Sequence, residues 1–408
     1  MTVPERTRAD EIQAAAGAAA RASASGSSAE APRSVPVAEA GPPVMETGGV
    51  LTIDLAALVA NWRDLARRVT PADCAAVVKA DAYGCGLAEV AGALARAGCK
   101  TFFVAHLAEA RTLRRAVPDA VIYVLNGIPP AGSAAFADAR VRPVIGSMAE
   151  LVEWDAFCRV NAWTGGAALH VDTGMNRLGL SLEDAAALAP RLDSPDHGIA
   201  LIMSHLACAD EPAHPLNERQ IQAFREVRML FRGVDASLAN SSGLFLGPST
   251  HCEVVRPGIA LYGGNPIPGS ENPMRPVVRL EARVVQVRKV RRGETVGYGA
   301  AWTAPRESRI AIAAVGYGDG FLRAGAALGQ AQPVAVVVGK RCPIVGRISM
   351  DLLAIDVTAL PEVSPRRGDW VTLLGEEFPV DAAAPFGGQI SYEVLTSLGR
   401  RYHRSWRS

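Results

Sequence analysis

The sequence predicts an α/β protein with three parts: a disordered tail over 1–47, a (β/α)8 TIM-type barrel over 48–276, and a mainly-β domain over 277–408. Three observations carry this reading. Short apolar runs alternate with helix-like segments from Leu51 to about Arg256, as parallel βα units do. Beyond Pro276 the helical spacing fades and strand-like runs bounded by Gly and Pro take over. Ahead of Gly48 there is no Leu, no aromatic residue and no Cys, but 13 Ala and 5 Pro. Such a stretch buries too little apolar area to offset the entropy of ordering it.

In order along the chain, Asp54 reads as the N-cap of an amphipathic helix from 55 to about 68. Strand-like runs follow at 75–79, 101–104, 121–125, 141–145, 167–171, 199–204, 236–238 and 254–256. Helical spacing lies between several of them, at 87–97, 105–116, 147–159 and 216–231. Eight such units fit a closed barrel, and a doubly wound open sheet fits the same alternation. In the last third, strands are expected at 277–290, 310–315, 333–338, 342–345, 353–357 and 370–374.

Composition narrows the function. Basic and acidic residues number 42 and 41, so no global field draws nucleic acid or an anionic membrane. No apolar run reaches the 18 residues of a membrane span. The tail has six acidic residues and lacks the apolar core of a secretory signal, which argues against a targeting peptide. The seven cysteines form no CxxC pair, which speaks against a zinc site or a disulfide framework and for a reducing cytoplasm.

Only four of the basic residues are lysines: Lys79, Lys100, Lys289 and Lys340. Lys79 ends the first barrel strand, at the face where barrel enzymes keep their reactive groups. A dry site there lowers an amine's pKa and makes it a nucleophile or base. The position also suits a strand-end lysine that simply reaches solvent. Polar loops close later strands in the same way: 170–179 with Arg177, 204–210 with His205, 240–243 with Ser241, and 256–259 with Arg256, Gly258 and Ile259. Phosphate sites recur after strands seven and eight of such barrels.

The segments VVKADAYGCG, VDTGMNRLGL, SHLACAD, NSSGLF, RPGIALYG, VGYGAAW, VGYGDG, GRISMD and ISYEV stand here in order. Together, over about 48–408, they resemble the alanine racemases, bacterial enzymes that use pyridoxal phosphate (PLP). The resemblance implies the same barrel and β domain and the interconversion of L- and D-alanine, which supplies D-alanine to peptidoglycan. It implies that Lys79 holds PLP covalently and, once released, serves as base on one face of the substrate. Tyr298 would be the opposite base, delivered by the other subunit of a homodimer with shared active sites. A tyrosine ionises near 10, so it needs cationic neighbours for that task. Tyr83, Ser241, Gly258, Ile259 and Tyr392 match phosphate ligands. Arg256 matches the donor to the pyridine nitrogen, with His205 behind it. Arg177 and the Met350 backbone N–H match the carboxylate contacts. Tyr317, Tyr392 and Tyr298 match an inner gate; Arg323, Arg347, Asp210 and Ile390 match an outer corridor.

Two positions depart from the family pattern. Cys85 replaces a histidine. His170 stands where many members carry a lysine whose carbamate faces the arginine. Arg177 is then expected to face a small anion or water, with Asp172 consumed by its own turn and His170 unmodified or merely filling the barrel. Two rival readings remain: a PLP racemase of broader or different range, such as serine, and a non-catalytic PLP carrier. Single-domain carriers lack the β domain and second base that this chain has.

Overall fold

The computed structural model describes residues 41–192, 198–321 and 333–408. Residues 1–40 of the expected tail, and Arg323, lie outside them. Strand β1, Gly49–Asp54, opens the described fold. The Asp54 carboxylate then accepts the Ala57 N–H at 2.7 Å and caps helix Leu55–Val69. That helix buries Leu55, Leu58, Trp62, Leu65 and Val69, spaced by three and four residues as an amphipathic face requires.

The barrel strands are β2 (Asp73–Cys74), β3 (Ala76–Val77), β4 (Thr101–Val104), β5 (Val121–Val124), β6 (Arg142–Ile145), β7 (Ala167–His170), β8 (Ile199–Met203), β9 (Asp235–Ser237) and β10 (Val254–Val255). β3 to β9 pair in parallel, each with the next in sequence. β10 closes the ring against β2, and Val77 N–H donates to Pro257 C=O at 3.0 Å. Counting β2 and β3 as one strand gives the eight expected from the sequence. Phe102, Phe103, Ile122, Val144, Leu169, Leu201 and Ala236 are all but inaccessible, as both-face burial of parallel strands demands.

The second domain holds β11 (Val278–Val290), β12 (Thr295–Val296), β13 (Trp302–Thr303), β14 (Ser308–Ala313), β15 (Val334–Val337), β16 (Lys340–Val345), β17 (Leu353–Asp356), β18 (Trp370–Leu374) and β19 (His403–Arg407). The long β11 pairs β18 near its start and β14 further on, past a register shift between Val284 and Gln286. With β17, β16 and β15 between them, the sheet curls into a ring.

Two expectations need correction. β1 pairs with β11 antiparallel and β19 in parallel, so it belongs to the second domain's sheet and not to the barrel assigned to 48–276. Its apolar Leu51 and Ile53 become buried in that sheet. Within the span assigned to the disordered tail, 41–47 is placed: Val44–Glu46 forms a 3-10 turn, and Arg283 donates to Val44 C=O at 2.6 Å. Helix Ser391–Ser397 was not expected, yet it brings Tyr392 to the barrel mouth. Among the described residues, no helix is long and apolar enough to cross a membrane.

Candidate active site

A cavity of about 290 Å³ opens at the carboxyl ends of the barrel strands. Lys79, Tyr83, Arg177, His205, Ser241, Arg256, Gly258, Ile259 and Tyr392 all line it, as does His170. No carboxylate is among the lining residues. The cavity is therefore a cationic well suited to an anionic ligand.

Each residue arrives from a strand end. Lys79 follows β3, and its side chain stays reachable through the open mouth. The surrounding protein and the Arg177 charge nevertheless lower its pKa, against a weaker pull from Glu109. Arg256 follows β10 and is buried. It donates to the Ser204 carbonyl at 2.6 Å and to Ser237 Oγ, with His205 Nδ1 at 3.5 Å. Among the described residues no carboxylate pairs with it, and burial pushes its pKa down to about 10. It remains a cation at neutral pH, a fixed donor that keeps its protons.

A second cluster forms where the seventh and eighth strands end. Gly258 N–H and Ala260 N–H both point at Ser241 Oγ, at 2.8 and 3.3 Å. A β-carbon on Gly258 would run into the Tyr83 hydroxyl, so only glycine leaves this space. Tyr83 stacks on Tyr262 with ring centroids 4.5 Å apart, and Tyr262 donates to Val77 C=O at 3.0 Å. Backbone amides, a hydroxyl and the phenols of Tyr83 and Tyr392 make a cradle suited to a phosphate. An amine for an aldehyde, this cradle, and a permanent cation deep in the pocket fit the groups of PLP.

Arg177 sits exposed at the rim, with no ion pair among the described residues. The Asp172 carboxylate accepts Gly174 N–H at 2.8 Å and Met175 N–H at 2.9 Å, so the turn consumes it as expected. His170 is buried, and burial with the Arg256 charge pulls its pKa down to about 4. His205 is held well below its ordinary value by the same two causes. Both rings are neutral at pH 7.

A stability prediction follows from His170. Its folded pKa is depressed, so the unfolded chain binds the proton more readily. Stability is expected to fall as pH drops from 6.5 towards 4, by about 3 kcal/mol at pH 4 for this one ring. His170→Asn should flatten that slope in thermal unfolding followed across pH. An unchanged slope would show that the ring titrates normally.

Tyr298 and Met350 do not join the cavity within one chain. Tyr298 is 71% exposed, on the loop after β12. The Arg347 guanidinium packs against Gly299 beside it, and Tyr317 N–H donates to Ser349 C=O at 3.1 Å next to Met350. These residues form a separate patch on the β domain. Ile390 and Asp210 are exposed.

Sequence reasoning missed Leu125, Asn126 and Asn240 in the lining. Their signal was the one that found the others, a position just past a strand.

Fold and cavity together define a two-domain barrel protein with a lysine-centred pocket for an anionic carbonyl compound. The family model for the alanine racemase N-terminal domain matches residues 53–266, and that for the C-terminal domain matches 277–406. The chain belongs to the alanine racemase family. An alanine racemase of Methylobacterium sp. (strain 4-46) is 54% identical over 359 residues, 88% of this chain and 98% of that protein. The structure of alanine racemase from Bartonella henselae with covalently bound pyridoxal phosphate superposes with a TM-score of 0.82 at 38% identity, covering 88% of this chain and 99% of that one. The biosynthetic alanine racemase of Pseudomonas aeruginosa gives 0.81 at 35%, covering 89% and 100%.

Proposed function

We propose that this chain interconverts L- and D-alanine on PLP held by Lys79, as a homodimer whose active sites each combine one barrel with the partner's β domain. The observation that carries the reading is the strand-end Lys79 in a cation-lined cavity free of carboxylates. PLP, when bound, supplies an electron sink that acidifies the α-proton of an amino acid joined to it.

The chain's own groups do the rest. The cradle of Tyr83, Ser241, Gly258, Ile259 and Tyr392 holds the phosphate. Arg256 donates towards the pyridine nitrogen without surrendering a proton, which keeps the sink weak and favours return of the α-proton over side reactions. His205, neutral, lies against Arg256 and leaves that cation undisturbed. Arg177 and the Met350 N–H bind the substrate carboxylate. Lys79 Nζ takes or returns a proton on one face, and Tyr298 Oη does so on the other. Tyr298 is exposed in its own chain, with Arg347 as the nearby cation, which is the placement expected of a group that serves a partner's site. In the cytoplasm this activity would supply D-alanine for cell-wall peptidoglycan.

A coupled assay for D-alanine formed from L-alanine, with and without added PLP, tests the reading. L-serine assayed beside it separates an alanine enzyme from one of broader range. Activity is expected with alanine and to rise with PLP in the apoprotein. Serine turnover matching alanine turnover would replace the alanine assignment.

A further inference from the structure

Lys79 enters the cavity on an expensive piece of backbone. Ala80, Asp81, Ala82 and Tyr83 have φ of 54°, 54°, 52° and 54°, a left-handed turn built without glycine. Each such residue costs roughly 1–2 kcal/mol. The turn persists only if its surroundings over-determine it. Beside the turn's own backbone bonds, such as Gly84 N–H to Ala80 C=O at 2.9 Å, four side-chain bonds do so. Ala80 N–H donates to Glu109 Oε1 at 2.7 Å, and Leu87 N–H donates to Asp81 Oδ1 at 2.8 Å. Arg404 donates to Gly84 C=O, and the Trp406 indole donates to Cys85 C=O at 2.7 Å.

Only the first of these acts on the residue next to Lys79. Glu109 is itself anchored, because Oε2 accepts Ala105 N–H at 2.8 Å and His106 N–H at 3.1 Å. One carboxylate thus ties the loop after β3 to the start of helix Leu107–Ala116, in the next βα unit. Its negative charge also faces the Lys79 amine and opposes Arg177.

We propose that Glu109 is a positioning residue for Lys79: its carboxylate holds the Ala80 amide and so fixes the left-handed turn that aims the lysine amine into the cavity. This inference rests on the assignment of Lys79 as the residue that holds PLP. The unit two further round the barrel provides its own control. Glu150 accepts Gly146 N–H at 2.8 Å and Ile128 N–H at 3.0 Å at the head of helix Met148–Asn161. It performs the same helix-capping and loop-tying work away from the Lys79 turn.

The experiment compares PLP-loaded Glu109→Gln and Glu109→Ala with Glu150→Gln and Glu150→Ala. Thermal unfolding, PLP loss on dialysis, the pH midpoint of the bound cofactor's visible band, and kcat and KM for alanine are measured. All four variants are expected to unfold at lower temperature, since each loses a cap. Only the Glu109 variants should lose kcat by at least about ten-fold, with KM within about three-fold, because the amine is mis-aimed and not the substrate. They should also release PLP about ten-fold faster, and their midpoint should fall by on the order of half a pH unit as a negative charge beside Lys79 disappears. The groups facing that amine are Arg177 and Glu109, with His205, Tyr83 and Tyr392 in the same cavity, and only Glu109 is changed. If Glu109→Ala does not fold, Glu109→Gln, which keeps one acceptor oxygen, carries the comparison. Borohydride reduction with peptide mapping separates the two ways of failing. Lys79 labelled, with Glu109 variants matching Glu150 variants in PLP release and midpoint, overturns this inference alone. Label on another lysine overturns it together with the assignment of Lys79.

Discussion

Lys79→Ala is expected to reduce racemisation by on the order of 10⁴-fold or more, because it removes both the covalent anchor and one of two bases. The fold should survive. Lys79 is exposed, packs into no core cluster and makes no ion pair among the described residues. Equal unfolding temperatures for parent and variant would therefore assign the loss to chemistry. Borohydride reduction of the parent should label Lys79 and nothing else. The other lysines are placed elsewhere: Lys100 precedes β4 at the opposite face, Lys289 faces Glu362 at 3.5 Å, and Lys340 starts β16 after a hairpin turn. A label on any of these, or substantial turnover by Lys79→Ala, would refute the assignment.

The second large effect is a recovery. Lys79→Ala and Tyr298→Phe chains should each be nearly inactive alone. In a mixed dimer, one site receives both lesions and the other receives none. Random pairing of equal amounts should then restore about a quarter of the parent activity, from simple counting over a two-fold assembly. The structure motivates this because the cavity and Tyr298 lie in separate parts of one chain. No recovery, with mixed dimers demonstrated by differently tagged chains, would mean that each chain supplies both of its bases.

The barrel was legible because its strands are local apolar runs whose type needs no knowledge of partners. Val121–Val124 and Ile199–Met203 announce themselves in this way. β1 did not, since its membership is decided by pairing with residues hundreds of positions away. β19 reads His-Arg-Ser-Trp-Arg, half-exposed and polar, with no periodic signal to find. Among site residues, Lys79 stood out by position and scarcity. Tyr83 and Tyr392 were named only through resemblance to a family, because a loop residue's role depends on what the fold brings opposite it. Glu109 escaped for a related reason. Helix Leu107–Ala116 was expected to begin at 105, which hid Glu109 as the third residue of its first turn.

The pairing of β1 with β19 also sets a timetable. Thr52 and Ser405, whose hydroxyls meet at 3.2 Å, are 353 residues apart. At about 5–20 residues per second on the ribosome, β1 waits roughly 20–70 s for that neighbour. Leu51 and Ile53 have no sheet partner until Leu280 and Val278 of β11 emerge, while the barrel strands, each paired with the next to emerge, can assemble behind them. The first strand made is thus among the last to be sealed. The newborn chain carries a sticky apolar pair for most of its synthesis, and its second domain's sheet gains its outermost strand only when the final segment slots in beside the first.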